Sequence, residues 1–101
     1  MKLFSMPEVQ SQFRKYKQDT GYSCSEMGAI IYYGCSTVSN WYAGNRTLSV
    51  DAYIALYALL EHEGYFPSCG IENYEDYINL QALEQIKQKH AQCAAQGDTN
   101  V

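Results

Sequence analysis

The chain of 101 residues has no long apolar run and only two prolines. No uncharged apolar stretch reaches the ~18 residues that a membrane-spanning helix needs. The residues after Lys2 also lack the apolar stretch of a secretory signal peptide. We therefore expect a chain that neither enters a membrane nor is exported. In a reducing compartment its four cysteines are expected to be free thiols, namely Cys24, Cys35, Cys69 and Cys93.

Motifs typical of metal sites and of enzymes are also missing. The four cysteines lie 11, 34 and 24 residues apart, with no Cys-x-x-Cys pair and no histidine at a zinc-like spacing. His62 and His90 stand in charged segments, outside any recognisable nucleophile motif. The neighbouring Glu61 and Glu63 fit solvent-facing helix charges. We expect no metal, no cofactor and no catalytic residue.

Basic residues are scarce, and the acidic excess is uneven. The formal net charge is −4, which argues against a protein whose whole surface attracts nucleic acid. Residues 1–60, however, carry five basic and four acidic side chains, whereas residues 61–101 carry two basic and seven acidic ones. The acidity thus belongs to the C-terminal two-fifths, and net charge does not exclude nucleic acid as a partner of the first 60 residues.

Helix start and stop signals divide the chain into five predicted helices. Ser5–Glu8 and Ser23–Glu26 are capping boxes, in which a serine and a glutamate three residues later satisfy the first backbone amides of a helix. The pattern predicts an all-α fold, a compact bundle of about five helices in which the last is a C-terminal addition. The predicted helices run from the first box to about Thr20, from the second box to the break at Gly34, from Ser36 to Ala43, from Val50 to Glu63, and from a cap at Asn73 to about Gln96.

Residues 23–44 are the most informative segment, because two short helices flank a tight turn there. Gly28 stands inside the first helix, where glycine costs ~1 kcal/mol relative to alanine. A close approach of the two helices explains that cost. Val38 and Trp41 are spaced to anchor the second helix on the body of the domain.

This segment resembles the helix-turn-helix of the lambda-repressor-like (Cro/XRE) family. Ser23 matches the family's helix cap, and Gly28 matches its small position. The run Val38-Ser39-Asn40-Trp41 and the closing Gly44 match the end of its recognition helix without a gap. The resemblance covers about residues 6–63.

Two places depart from the family pattern. Cys24 stands where the family usually has glutamine, and Tyr32-Tyr33-Gly34 replaces the usual Gly-Val-Ser turn. Such a turn needs a residue with positive φ, which is unfavourable for residues other than glycine. Either Tyr32 adopts that conformation or the turn is rearranged around Gly34.

The resemblance implies that the second helix lies in the DNA major groove with its outward side chains at base edges. Asn40 is the best candidate to read a base, because its amide can pair bidentately with adenine. Ordinary helix-start chemistry is the alternative role for Ser36, Thr37 and Ser39. The expected base contacts are Cys35, Ser36, Ser39 and Asn40. The expected phosphate contacts are Thr37, Asn45, Arg46 and Lys17, with diffuse attraction from Arg14 and Lys15. The expected framework residues are Gly28, Val38, Trp41 and Gly44.

The expected function is a sequence-specific, repressor-like transcriptional regulator of the kind common in phages and mobile elements. It would bind an operator in double-stranded DNA as a homodimer, in the cytoplasm of a bacterial or phage-infected cell. Residues 1–63 would form the DNA-binding region. Residues 64–101 would form an acidic helical extension of the same domain, used for dimerisation or for a partner. The candidate dimer residues are Tyr74, Tyr77 and Ile78.

Ten tyrosines, the net charge and the irregular turn support an alternative function. Tyrosine suits protein interfaces because it combines a large contact area with a polar tip. The alternative is a protein-binding phage inhibitor, an antirepressor or an anti-CRISPR-type module on the same scaffold. Its partner would meet the acidic, tyrosine-rich C-terminal region.

Overall fold

The computed structural model describes residues 5–67 and 71–99, and their side chains as far as Gln92. Within these ranges the secondary structure is all helical, as predicted. The five α-helices are α1 (Met6–Thr20), α2 (Cys24–Ile31), α3 (Cys35–Ala43), α4 (Val50–His62) and α5 (Leu80–Thr99), with a 3₁₀ turn at Tyr74–Asp76 before α5.

Both predicted capping boxes are present. The Glu8 amide donates to Ser5 Oγ at 3.3 Å, and the Glu26 amide donates to Ser23 Oγ at 3.0 Å. In each box the glutamate carboxylate accepts from the serine amide in return. Because these bonds satisfy otherwise unpaired first-turn amides, they determine where α1 and α2 begin. Helix α1 ends as predicted at Gly21, whose φ of 74° closes the helix.

The predicted start of the last helix was wrong. Asn73 precedes the 3₁₀ turn, and α5 begins at Leu80. The cap is Asn79, whose side-chain oxygen accepts from the Ala82 amide at 3.0 Å. The Asn79 amide also donates to the Ile30 carbonyl at 2.7 Å, which ties the start of α5 to the end of α2.

Helix α4 lies at the centre of the core. Nearly every residue from Ala52 to Glu61 is buried, with Ile54 as the exception. A helix that is apolar on most sides needs neighbours all around it. The other helices and the segment before α5 supply buried side chains, including Val9, Phe13, Tyr16, Met27, Ile30, Val38, Trp41, Ile78 and Leu83.

A polar cluster joins α1, α4 and α5, and it corrects the expectation that Glu61 and Glu63 face solvent. Glu61 is buried and accepts from the Tyr74 hydroxyl at 3.0 Å. Glu63 accepts from the Tyr16 hydroxyl at 3.0 Å and from Lys87 Nζ at 2.9 Å. Burial alone raises the pKa of Glu63, but the hydrogen bonds from Lys87, His62 and Tyr16 outweigh it and lower the pKa below its usual value.

No helix in the described ranges has the length and apolar content needed to cross a membrane. Cys24 and Cys35 carry free thiols. Cys69 and the side chain of Cys93 lie outside the residues that the structure describes.

Candidate functional site

The turn between α2 and α3 places a tyrosine in the left-handed region. Tyr32 has φ 64° and ψ 39°, and it is the one residue other than glycine with a positive φ in the described ranges. Gly34 has φ −72° and precedes α3 as its N-cap. Of the two possibilities that the sequence left open, the chain uses Tyr32. The left-handed conformation costs an L-residue roughly 1–2 kcal/mol, so the surrounding contacts must hold it.

Gly28 is required by the backbone of this turn. A Cβ added to Gly28 would lie 2.2 Å from the Tyr33 carbonyl oxygen. The Tyr33 amide donates to the Gly28 carbonyl at 2.9 Å, which pulls the turn back against α2. The close neighbour that leaves no room for a side chain at Gly28 is the turn backbone, and not the second helix as expected.

Two buried side chains determine which face of α3 points outward. Val38 is fully buried, and Trp41 is 3% exposed with its rings 4.9 Å from the Tyr33 ring. Both side chains therefore pack into the core of the domain. Gly44 ends α3 with φ 82°.

The opposite face of α3 is polar and carries no charged side chain. Cys35, Ser36 and Ser39 are exposed, and Asn40 is half-buried. Residues 35, 36, 39 and 40 lie close together because neighbours on a helix surface are three or four residues apart. The four expected base contacts therefore share one helix face. Thr37 is half-buried beside them.

Basic side chains gather at the C-terminal end of α3. Arg14 Nη2 lies 3.0 Å from the position that a Cβ would take on Gly44. Lys17 Nζ lies 4.5 Å from the centre of the Tyr42 ring, a distance at which cation and ring attract each other. Asn45 and Arg46 are exposed in the loop that follows. A helix C-terminus favours cations, because its free carbonyls carry partial negative charge.

From the sequence, Arg14 is expected to have only a diffuse role. Its cluster with Lys15 and Lys17 was visible, but the contact between α1 and the end of α3 was not. In the structure, the side chains of Arg14 and Lys17 on α1 lie at the C-terminal end of α3. Arg46 stands in the loop that follows this end. Lys15 is exposed elsewhere on α1.

The carboxylate of Glu26 on α2 contacts two basic side chains of α5. Glu26 accepts from His90 Nε2 at 3.0 Å, and Lys89 Nζ lies 3.5 Å from its other oxygen. Burial raises the pKa of Glu26, but the Ser23 amide, His90 and Lys89 outweigh it and lower the pKa to about 2. The carboxylate is thus kept charged by neighbours on α2 and α5.

The candidate dimer residues do not share one surface. Ile78 is fully buried within its own chain, so its side chain belongs to the core. Tyr74 is half-buried and donates to Glu61. Tyr77 remains 41% exposed, and of the three it alone offers substantial apolar surface to another molecule.

The described residues hold no group of three or more side chains suited to a metal ion. Comparisons of the chain with protein-family models, with curated proteins and with solved structures find no match.

Proposed function

We propose that this protein binds double-stranded DNA through α3 and regulates transcription by occupying an operator. The observation that carries the proposal is the outward face of α3, which is polar, uncharged and held in one orientation by Val38 and Trp41. A helix of this kind is what the DNA major groove accommodates, with its outward side chains at base edges.

The side chains on this face suit base recognition. Asn40 can pair bidentately with adenine, and Ser36 and Ser39 can donate or accept hydrogen bonds. Cys35 offers an apolar contact for a thymine methyl group. Each good bidentate pair contributes about 1–3 kcal/mol of discrimination between bases.

Phosphate contacts fall to the groups around α3. Arg46 and Asn45 are exposed beyond its C-terminal end, and Arg14 and Lys17 reach the same end from α1. Thr37 lies beside the base-reading face. Cations that neutralise phosphates position the protein and supply most of its non-specific affinity.

Charge distribution supports one orientation on DNA. The acidic excess belongs to residues 61–101, and Arg14, Lys17 and Arg46 lie around the C-terminal end of α3. We propose that residues 61–101 face away from the duplex and that two copies occupy two half-sites. Half-sites read by a symmetric pair lie about 10–10.5 base pairs apart or at multiples of that distance.

Selection from a library of random duplexes tests the proposal. The wild-type protein is expected to enrich a short motif, with an adenine at the position that Asn40 reads. Asn40→Ala is expected to lose preference at that one position and to bind the selected duplex about 5- to 150-fold more weakly.

Asn45→Ala is the matched control, because it removes the same amide from a predicted phosphate contact. It is expected to weaken binding to all sequences alike, without changing the selected motif. An Asn40→Ala protein that selects the wild-type motif with wild-type affinity contradicts the base-reading role. Failure of the wild-type protein to enrich any sequence contradicts the proposed function.

A further inference from the structure

A shallow groove lies beside the turn between α2 and α3, and none of the four expected base contacts lines it. It encloses about 340 Å³, which is within the range of ~300–1,000 Å³ typical of ligand pockets. The turn, α4 and the segment before α5 each contribute to its wall. The lining residues that matter here are Tyr32, Tyr33, Asp51, Ile54, Asp76 and Tyr77.

Three of the four large apolar side chains that are exposed among the described residues line this groove, namely Tyr32, Ile54 and Tyr77. The fourth, Val50, is 68% exposed and lies one helical turn before Ile54 on α4. Single exposed apolar residues are ordinary, whereas large contiguous apolar patches rimmed by polar groups mark interaction sites.

The polar rim of the groove is acidic. Asp51 and Asp76 both line it, and no lysine or arginine does. Neither aspartate forms an ion pair within 4 Å in the described part of the chain. Exposed apolar side chains beside an acidic rim that lacks ion-pair partners favour an occupant that is both apolar and basic.

We propose that this groove binds a short segment of another protein in which an apolar side chain is flanked by lysine or arginine. The apolar side chain would lie between Tyr32, Ile54 and Tyr77. The basic side chains would pair with Asp51 and Asp76, where charge complementarity supplies specificity and steering.

A second copy of the chain fits this groove poorly. A two-fold interface brings the same patch of both subunits together, so the aspartates of one copy would approach those of the other. Like charges placed together across an interface cost several kcal/mol. A basic segment meets the same surface with attraction instead of repulsion. Since the base-reading residues of α3 are not among those lining the groove, this inference does not depend on DNA binding.

Display of random 12-residue peptides, selected on the full chain, tests the proposal. Enriched peptides are expected to carry an aromatic or aliphatic residue within about three positions of a lysine or arginine. Ile54→Asp is expected to weaken the best peptide at least 10-fold in a fluorescence-polarisation titration. Ile54 is 40% exposed, and circular dichroism of the variant checks that the fold survives.

A matched pair of variants isolates the acidic rim. Asp51→Asn with Asp76→Asn is expected to weaken the peptide about 5- to 20-fold and to flatten its dependence on salt. Glu72→Gln with Glu84→Gln makes the same change in net charge away from the groove, and it is expected to change the affinity less than 2-fold. Equal affinities for the two double variants overturn the proposal, as do selected peptides without basic residues or a selection that enriches nothing.

Sedimentation equilibrium of the protein alone tests whether a second copy of the chain occupies the groove instead. We expect Ile54→Asp to leave the oligomeric state of the wild type unchanged. A wild-type dimer that Ile54→Asp converts to a monomer would assign the groove to a second copy of the chain and overturn the proposal.

Discussion

Replacement of Gly28 by alanine tests how the turn and α3 are held. The new Cβ would lie 2.2 Å from the Tyr33 carbonyl oxygen and 3.3 Å from the Tyr33 carbonyl carbon. To reach an ordinary contact distance, the backbone of the turn would have to move away from α2 by about 1 Å or more. The turn has little freedom to do so, because the Tyr33 amide donates to Gly28 and the Tyr33 ring packs on Trp41.

The expected loss of stability follows from three opposing contributions. Overpacking of this kind costs typically 1–3 kcal/mol, and loss of the Tyr33 hydrogen bond costs about 1 kcal/mol more. Because alanine is a better helix former than glycine, the substitution also stabilises α2 by about 1 kcal/mol. We expect Gly28→Ala to lower the free energy of unfolding by about 1–3 kcal/mol, a large share of the ~5–15 kcal/mol typical of a small domain.

Urea unfolding, followed by Trp41 fluorescence and by circular dichroism, measures this change. Gly34→Ala is the matched control, because Gly34 has an ordinary φ of −72° and nothing lies within 4 Å of its added Cβ. We expect that control to stay within about 1 kcal/mol of wild type. A Gly28→Ala protein as stable as wild type would refute the steric account of the turn.

Two further predictions concern the turn and the tie between α2 and α5. Tyr32→Gly removes a left-handed strain of roughly 1–2 kcal/mol and adds a backbone-entropy cost of about 0.5–1 kcal/mol. Urea unfolding should therefore show a free energy of unfolding that is higher by about 0.5–1 kcal/mol. A lower free energy of unfolding would mean that packing of the tyrosine outweighs its strain. Glu26→Gln keeps an acceptor for the Ser23 amide but loses the charge that faces His90, and we expect it to destabilise the fold by about 0.5–1 kcal/mol near neutral pH. Because the pKa of Glu26 in the folded chain is lowered to about 2, from ~4.3 in an unfolded one, the difference between wild type and variant should persist above about pH 5 and disappear as the pH falls toward 2. A difference that does not change with pH would contradict this assignment.

Local signals in the sequence predicted most helix boundaries. Ser5 and Ser23 each stand three residues before a glutamate, and the resulting boxes depend only on neighbouring backbone. The start of α5 was misplaced because two asparagines, at 73 and 79, are equally suitable caps. Asn79 prevails because its amide also donates to the Ile30 carbonyl, a bond to another helix that no local pattern reveals.

The candidate site was predictable where it depended on helix periodicity. Val38 and Trp41 face inward, so the residues between them face outward, and this follows from spacing alone. The contacts of Arg14 with the end of α3, and of Glu26 with His90 on α5, join distant parts of the chain. The left-handed Tyr32 is also a tertiary result, since the local preference of tyrosine opposes it.

The burial of Glu61 and Glu63 was missed for a related reason. Charged residues near the end of a helix usually face solvent, and nothing near them in sequence indicates otherwise. Tyr74 and Tyr16 reach these carboxylates from other elements and donate one hydrogen bond to each, which offsets part of the cost of burial. The second carboxylate oxygen of Glu61 is buried without a hydrogen-bond partner among the described residues.

Titration of a mixed-sequence duplex at several salt concentrations tests the central claim most directly. If Arg14, Lys17 and Arg46 each neutralise a phosphate, the logarithm of the binding constant should fall with the logarithm of salt concentration with a slope of about −2.7 per chain. Binding should then weaken about 40-fold between 50 and 200 mM salt, and Arg46→Ala should reduce the slope by about 1. Absence of binding at 50 mM salt, or an affinity that salt does not change, would contradict the assignment of α3 and its surroundings to DNA.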